Sequence, residues 1–221
     1  MNLQEVAMNI ILLGAPGVGK GTQAKLIMER FKIPQVSTGD ILRAEVKKDS
    51  PIGRKIKTIM ENGELVSDDI ILQIVENRLG EPDAQKGFIL DGFPRTIPQA
   101  DGLAELLRRL KISDPKVIEI SLPDEIIIQR LTSRRVCSEC GKVFNLLSDP
   151  PAPGNKCSNC GGEIFQRNDD REETIKNRLV IYRKDTEPLI GYYKKQKHFY
   201  RIDGKSSIRE IFQDILKILN A

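Results

Sequence analysis

The sequence predicts an α/β fold in which a parallel five-stranded sheet lies between two layers of helices. Short apolar runs alternate with longer amphipathic segments along most of the chain, and a glycine-rich turn joins the first run to the first segment. The 221 residues are 39% hydrophobic and 30% charged, which is typical of a globular protein with a substantial core. Because strands separated by helices are joined by crossovers, we expect parallel strands with helices on both faces.

The predicted strands are short apolar runs next to turn residues. We place them at 8–13, 35–36, 87–91, 117–122 and 198–202. The predicted helices carry apolar residues at helical spacing. They cover 20–31, 41–48, 52–62, 70–79, 97–110, 124–134, a segment from 170, a segment that Pro188 opens, and 207–219. Asp170 and Glu173 match the capping-box pattern, so we predict that they begin their helix.

The turn after the first strand has the pattern of a phosphate-binding loop. Residues 14–22 read Gly-Ala-Pro-Gly-Val-Gly-Lys-Gly-Thr. Glycines let backbone N–H groups turn towards a polyphosphate, and the next helix adds the positive end of its dipole. Lys20 would reach the outer phosphates and the Thr22 hydroxyl would face Mg²⁺. The pattern predicts a nucleoside triphosphate site, and the alternative is a glycine-rich turn without a ligand.

Four cysteines form two C-x2-C pairs, Cys137 with Cys140 and Cys157 with Cys160, with sixteen residues between the pairs. This spacing is typical of a tetrahedral Zn²⁺ site with four thiolates, which is structural because it leaves no position for water. The alternatives are two disulfides or a redox C-x-x-C motif, and Fe²⁺ or Co²⁺ would also accept four thiolates. We predict that 136–168 is an inserted minidomain that depends on its metal.

Bulk properties exclude several classes of protein. The net charge of +4 is too small to indicate nucleic-acid binding, and an anionic substrate held by arginines explains it equally well. No apolar stretch approaches the length of a transmembrane helix, and no secretory signal is visible at the N-terminus. With thiolates that require a reducing compartment, we expect a cytoplasmic protein without a membrane or nucleic-acid partner.

Polar residues follow the second and third predicted strands, where they should meet the phosphate loop in one crevice. Thr38 and Arg43 follow the second strand, and Asp91 and Arg95 follow the third. Asp91 ends a buried strand, the position of an acid that holds a water of the Mg²⁺ shell. The alternative for Asp91 is a cap or turn residue, and the alternative for Arg43 is a solvated helix residue.

Together these segments resemble the adenylate kinase family in its long form with a zinc-binding lid. The resemblance rests on Gly-Ala-Pro-Gly-Val-Gly-Lys-Gly-Thr-Gln, Ser-Thr-Gly-Asp-Ile-Leu-Arg, Asp-Gly-Phe-Pro-Arg-Thr, and the cysteine-bearing insert followed by Gln-Arg-x-Asp-Asp. It extends from position 8 to the last helix. It implies a P-loop NTPase fold, a monomer, and phosphoryl transfer from MgATP to AMP that gives two ADP.

The resemblance also implies a division of the chain and a role for each site residue. A core P-loop domain would comprise 1–36, 67–132 and 171–221, a mobile AMP-binding arm 37–66, and the lid 133–170. ATP would be bound by Gly17, Val18, Gly19, Lys20, Gly21, Thr22, Arg130, Arg134, Val143, Phe144 and Ser206. AMP would be bound by Thr38, Arg43, Glu64, Leu65, Val66, Gly92, Phe93, Pro94, Arg95, Gln99, Arg167 and Arg178. The catalytic residues would be Lys20, Asp91, Arg95, Arg134, Arg167 and Arg178.

The implied chemistry suits the composition. An AMP phosphate oxygen is already ionised at pH 7, so no general base is needed, and we interpret the single histidine, His198, as structural. The reaction needs alignment and neutralisation of charge, for which guanidinium groups are suited. A closing lid would exclude water, which would otherwise hydrolyse ATP.

Two other functions remain open at this point. The first is a nucleoside monophosphate kinase for UMP, CMP or GMP, although Thr38 and Gln99 resemble the adenine-selective pattern of the family. The second is a zinc-ribbon RNA-binding protein with a phosphate loop. Against it, the insert is nearly neutral and its only aromatic residues are Phe144 and Phe165.

Overall fold

The computed structural model describes residues 7–48 and 50–220. Its centre is a sheet of parallel strands in the order β2-β3-β1-β4-β8. The strands are β1 (Met8–Leu13), β2 (Gln35–Ser37), β3 (Gly87–Asp91), β4 (Lys116–Ser121) and β8 (Phe199–Asp203). The prediction of a five-stranded parallel sheet is confirmed, and each strand lies within one residue of its predicted bounds.

Helices cover both faces of this sheet. They are α1 (Lys20–Phe31), α2 (Thr38–Lys47), α3 (Pro51–Glu61), α4 (Asp68–Leu79), α5 (Ile97–Arg109), α6 (Asp124–Thr132), α7 (Glu172–Ile181), α8 (Pro188–Lys194) and α9 (Ile208–Asn220). Short 3₁₀ helices span Pro82–Lys86 and Asn168–Asp170, and a turn of π-helix, Tyr182–Thr186, joins α7 to α8. Among the described residues, no helix has the length and hydropathy needed to span a membrane.

Three predicted helix starts differ from the structure by two residues or more, and one of them is that of α4, which begins at Asp68 and not at 70. The helix predicted over 41–48 begins at Thr38, because the Ser37 side chain accepts a hydrogen bond from Asp40 N and caps it. The predicted capping box of α7 is wrong: Arg171 precedes the helix and makes no side-chain capping bond. Asp170 lies in the preceding 3₁₀ helix and pairs with Arg134, since a fully buried carboxylate is stabilised by a guanidinium partner.

The hydrophobic core has two parts, one on each face of the sheet. Ile11 and Leu13 of β1 belong to the part that α4, α5 and α8 cover. Ile10 and Leu12 belong to the part that α1, α6 and α9 cover. Successive strand residues point to opposite faces, so a strand buried on both sides is a continuous apolar run.

The cysteine-bearing segment forms a small antiparallel sheet in the order β6-β5-β7. Its strands are β5 (Arg134–Cys137), β6 (Val143–Asn145) and β7 (Ile164–Phe165). The buried cluster of this sheet consists of Cys137, Phe144 and Cys157, with Ile164 packed against it. A cluster of this size cannot stabilise a fold alone, which agrees with the prediction of a minidomain that needs a cross-link.

The end of α3 is docked on the segment that leaves this small sheet. Asn168 Nδ2 donates to Glu61 Oε1 at 2.8 Å, and Asn177 Nδ2 donates to Asn62 O at 2.6 Å. Thr174 Oγ1 donates to Glu61 O at 3.4 Å. The arm 37–66 therefore contacts both α7 and the end of the lid. The division into core, arm and lid stays a prediction, and positions 1–6, 49 and 221, which it also assigns, lie outside the described residues.

Candidate functional site

The carboxyl ends of β1, β2 and β3 open into a cleft with a volume of about 1160 Å³. Its lining includes every residue predicted to bind ATP or AMP except Phe93, and all six predicted catalytic residues. Phe93 is fully buried in the core and does not line the cleft. The structure thus brings together residues from the phosphate loop, the arm, the lid and α7.

The phosphate loop forms one wall of the cleft. Gly19 has a backbone φ of +108°, a value that residues other than glycine rarely adopt. Helix α1 begins directly after it. The first turn of α1 contains no acidic residue, and no side chain caps it. Its N–H groups are therefore available to an anion in the cleft.

Lys20 lies across this loop. Its Nζ donates to Gly14 O at 2.7 Å and to Ala15 O at 3.0 Å. Desolvation in the cleft lowers the pKa of Lys20 to about 8, an effect that nearby arginines reinforce and Asp91 opposes. A phosphate oxygen beside Nζ would favour the charged form. The side chain is therefore suited to a ligand that brings negative charge.

Asp91 lies beside the start of α1. A Cβ on Gly21 would be only 3.3 Å from Asp91 Oδ2, and Gln35 Nε2 donates to the same oxygen at 2.8 Å. Desolvation raises the pKa of Asp91, whereas Lys20 and the Gln35 hydrogen bond lower it. The sequence analysis missed Gln35, whose only signal is its place in the second strand.

Arginines crowd the opposite wall of the cleft. Desolvation lowers the pKa of both Arg95 and Arg167 to about 10, and neighbouring arginines, Arg178 and Arg43 respectively, lower it further. With a pKa of about 10, Arg95 and Arg167 remain protonated at neutral pH. Cations placed this close together repel one another unless an anion lies between them, so the wall is built for a polyanionic ligand.

Two acidic residues hold part of this arginine cluster. Arg134 donates to Asp170 through Nε at 2.8 Å and through Nη2 at 2.5 Å. Arg178 Nη1 lies 3.0 Å from Asp169 Oδ2. Desolvation alone would raise the pKa of Asp169, but Arg178 and neighbouring arginines hold it below its usual value. The sequence analysis missed both carboxylates as site residues, although the Gln-Arg-x-Asp-Asp motif contains them.

The arm side of the cleft is fixed by hydrogen bonds between polar residues. Thr38 Oγ1 donates to Gly92 O at 2.9 Å, which joins the start of α2 to the loop after β3. Gln99 Oε1 accepts from Arg95 N at 2.7 Å, and Gln99 Nε2 donates to Asp68 Oδ1 at 2.7 Å. Asp68 is a further residue that the sequence analysis did not connect with the site. These contacts hold Thr38 and Gln99 on one wall.

The four cysteines of the lid come together. The Sγ atoms of Cys137 and Cys160 are 3.5 Å apart, those of Cys140 and Cys157 are 3.6 Å apart, and all four lie within 4.8 Å of one another. Four thiolates about 2.3 Å from a tetrahedral Zn²⁺ would be about 3.8 Å from each other. The sulfur positions therefore fit the structural metal site that the spacing predicts.

Comparison with known proteins identifies the family. Residues 12–198 match the sequence model of adenylate kinase. The chain belongs to the adenylate kinase family. The adenylate kinases of Archaeoglobus fulgidus and Methanosarcina barkeri are each 49% identical to it over 212 residues, which is 96% of this chain and 98% of each relative. That of Geotalea daltonii is 49% identical over 96% of this chain and 99% of its own length.

Membership in the adenylate kinase family confirms the fold class and makes the chain an enzyme. It does not favour either alternative function, since these relatives are named as adenylate kinases over nearly their full length. The residue roles within this adenylate kinase remain predictions. The structure adds four residues to the predicted site: Gln35 and Asp169 line the cleft, and Asp68 and Asp170 hold the lining residues Gln99 and Arg134.

Proposed function

We propose that this protein catalyses reversible transfer of the terminal phosphoryl group of MgATP to AMP, which gives two molecules of ADP. The observation that carries the proposal is the convergence of the phosphate loop and five arginines on one cleft. These arginines are Arg43, Arg95, Arg134, Arg167 and Arg178. They come from the arm, the loop after β3, the lid and α7, so only a ligand that lies across the whole cleft would meet them all.

The two nucleotides would enter the cleft from opposite sides. ATP would place its phosphates against residues 17–22 and its adenine between Arg130 and the backbone near Ser206, with Val143 and Phe144 of the lid above. AMP would lie on the arm side of the cleft, which is lined by Thr38, Arg43, the segment 64–66, Gly92, Pro94 and Arg95. Gln99 would complete the adenine side of the AMP site.

The residues of the chain would act by alignment and neutralisation of charge. The Thr22 hydroxyl and the Asp91 carboxylate would hold Mg²⁺ and its waters, and the ion bound with ATP would neutralise phosphate charge. Lys20 and the arginines would stabilise the charge on the transferring group, and the attacking phosphate oxygen needs no base. The lid would exclude water when it closes.

Zn²⁺ would have an indirect role in this scheme. The four cysteines would hold it as a structural ion, which keeps the lid rigid so that Arg134 and Arg167 reach the phosphates together. Thiolate ligands require a reducing compartment, so we propose a cytoplasmic enzyme. We also propose that it acts as a monomer, in the three parts given by residues 37–66, 133–170 and the remaining core, without a membrane or nucleic-acid partner.

A coupled assay of ADP formation tests the function. We expect turnover that requires ATP, AMP and Mg²⁺ together, and a strong preference for AMP over CMP, UMP and GMP. Equal turnover of the four monophosphates would contradict the substrate assignment and favour the other nucleoside monophosphate kinases. Tight, salt-sensitive binding of RNA without AMP-dependent turnover of ATP would favour the zinc-ribbon alternative.

A further inference from the structure

Gln23 is a buried amide in the first turn of α1, and the proposed chemistry does not use it. The residue is 2% exposed, and its Nε2 donates to Ile208 O at 2.9 Å. Its Oε1 is fully enclosed and has no hydrogen-bond partner among the residues that the structure describes. The one hydrogen bond of this side chain given by the structure therefore joins the first helix of the chain to the first residue of the last helix, α9.

The Gln23 amide does not stabilise the fold efficiently, because its buried oxygen has no hydrogen-bond partner in the described part of the chain. A buried carbonyl oxygen without a partner loses its hydration and gains nothing in return. An apolar side chain of similar length would fill the same space without that cost. What the amide supplies, and an apolar side chain would not, is a fixed position for the Ile208 carbonyl.

Ile208 ends a segment that lines the cleft beside the phosphate loop. Residues 205–208 all belong to the lining. The other end of the segment is held by Arg130, whose Nη2 donates to Gly204 O at 3.1 Å while its Nη1 donates to Val18 O at 3.4 Å. The segment is thus tied at both ends to the phosphate loop and its helix, once through Arg130 and once through Gln23.

We propose that Gln23 is a positioning residue for ATP, which sets the distance between the phosphate loop and the segment 205–208. The inference rests on the proposed function, in which this segment contacts the adenine of ATP. Gln23 belongs to the cleft lining, but its Oε1 is fully enclosed and its Nε2 donates to Ile208 O, so the amide acts on the site through Ile208. The AMP side of the cleft, around Thr38 and Gln99, is held by a separate set of hydrogen bonds.

The test compares Gln23→Met with the wild-type enzyme and with Gln213→Met, a matched change at an exposed position of α9. We expect Gln23→Met to raise the KM for ATP about tenfold, which corresponds to the loss of one hydrogen bond, and to change the KM for AMP less than twofold. The preference for ATP over GTP should fall, while the melting temperature stays the same or rises. Gln213→Met should change none of these values.

A second variant, Gln23→Glu, covers the case in which Gln23→Met fails to fold. Its carboxylate would repel the Ile208 carbonyl, so the KM for ATP should rise further while the KM for AMP again stays near wild type. An unchanged KM for ATP, or an equal rise in both KM values, in whichever variant folds would overturn the positioning role. Absence of AMP-dependent ADP formation in the wild-type enzyme would instead refute the proposed function.

Discussion

Lys20 is a single residue whose surroundings suit it to an anionic ligand. Its ammonium group donates to two loop carbonyls, and desolvation lowers its pKa to about 8. The pKa of the free enzyme governs kcat/KM, whereas that of the complex governs kcat. A bound polyphosphate would raise the pKa again, so the two kinetic constants should respond differently to pH.

The kcat/KM for MgATP should fall as the pH rises through 8, because the free enzyme loses the Lys20 charge. The decrease should be about tenfold by pH 9, one pH unit above the pKa. With saturating MgATP, kcat should change much less over the same range. Measurement of both constants from pH 6.5 to 9.5 checks this prediction, and a flat profile of kcat/KM would contradict it.

Removal of the Lys20 charge tests the phosphate-loop assignment directly. Lys20→Met should lower turnover by about 10²–10³, the usual effect of losing one electrostatic contact to the transition state. The far-ultraviolet circular dichroism should stay that of the wild type, since the hydrogen bonds of Lys20 are made within its own loop. Turnover close to wild type would show that the loop does not hold the reacting phosphates.

Asp170 is a residue at which a change should strongly affect stability. It is fully buried and pairs with Arg134 and, at 3.7 Å, with Arg178. Asp170→Ala leaves the Arg134 guanidinium without its carboxylate partner, so we expect the free energy of unfolding to fall by about 3 kcal/mol in urea titrations. Lys176→Ala, which breaks an exposed pair with Glu172 on α7, is the control and should cause no measurable change. Equal effects of the two variants would contradict this account.

For single residues, the sequence predicts a role where the residue belongs to a motif of characteristic spacing. The glycine loop, the cysteine pairs and the acid at the end of β3 are recognisable because neighbouring residues make up the whole pattern. Asp170 and Gln23 are not, because their partners lie 36 and 185 residues away in the chain. From the sequence alone, Asp170 is equally consistent with a helix cap, and Gln23 with a solvated position on a helix. Only the fold shows which residues they contact.

Among the elements, the lid is the one whose stability depends on something other than apolar packing. Three strands, the longest of four residues, surround a buried cluster of Cys137, Phe144 and Cys157. The central sheet, in contrast, is buried on both faces. Loss of the metal should therefore loosen the lid and leave the sheet nearly unchanged.

Chelation of the metal, or Cys137→Ala, should lower the melting temperature and speed amide exchange in β5, β6 and β7. Exchange in β1 and β3 should change little and serves as the internal control. Hydrogen exchange followed by mass spectrometry, with and without chelator, gives both measurements at once. Equal protection of the lid in the two samples would contradict a structural role for the metal.

Prediction of the elements succeeds where periodicity and burial agree. The strands are predicted correctly because a core on both sides of the sheet requires continuous apolar runs. Helix α2 begins earlier than predicted because Ser37 caps it before the hydrophobic pattern starts. The π-helical turn at Tyr182–Thr186 has no periodic signal. Thr186 Oγ1 in that turn donates to Arg95 O at 2.8 Å. The turn is therefore held by a contact with the loop after β3, which is distant in the sequence.

For the molecule as a whole, arm, lid and core meet around one cleft. An analogue in which two adenosines are joined by five phosphates should bind across it and protect the arm, the lid and α7 together from hydrogen exchange. At about one hundred times its Kd, the analogue should stabilise the protein by about 2.7 kcal/mol in thermal or urea unfolding. AMP alone is the control and should protect only the arm. Protection of the lid or the arm alone by the analogue would contradict a shared cleft.

The fold-level prediction is the most complete, since the alternation of strands and helices and the phosphate loop restrict the topology strongly. What the sequence does not predict is the relative placement of the arm and the lid. That placement depends on side-chain contacts such as Asn177 with Asn62, which connect segments that have their own local patterns.

The hydrogen bond between Gln23 of α1 and Ile208 of α9 has a consequence for biosynthesis. The phosphate loop is translated long before Gly204 and Ile208, which lie at the two ends of the segment that faces it. A nascent chain that has not yet reached these residues carries an incomplete nucleotide pocket. Competence to bind ATP with full affinity arises only after they have left the ribosome and closed back onto the loop.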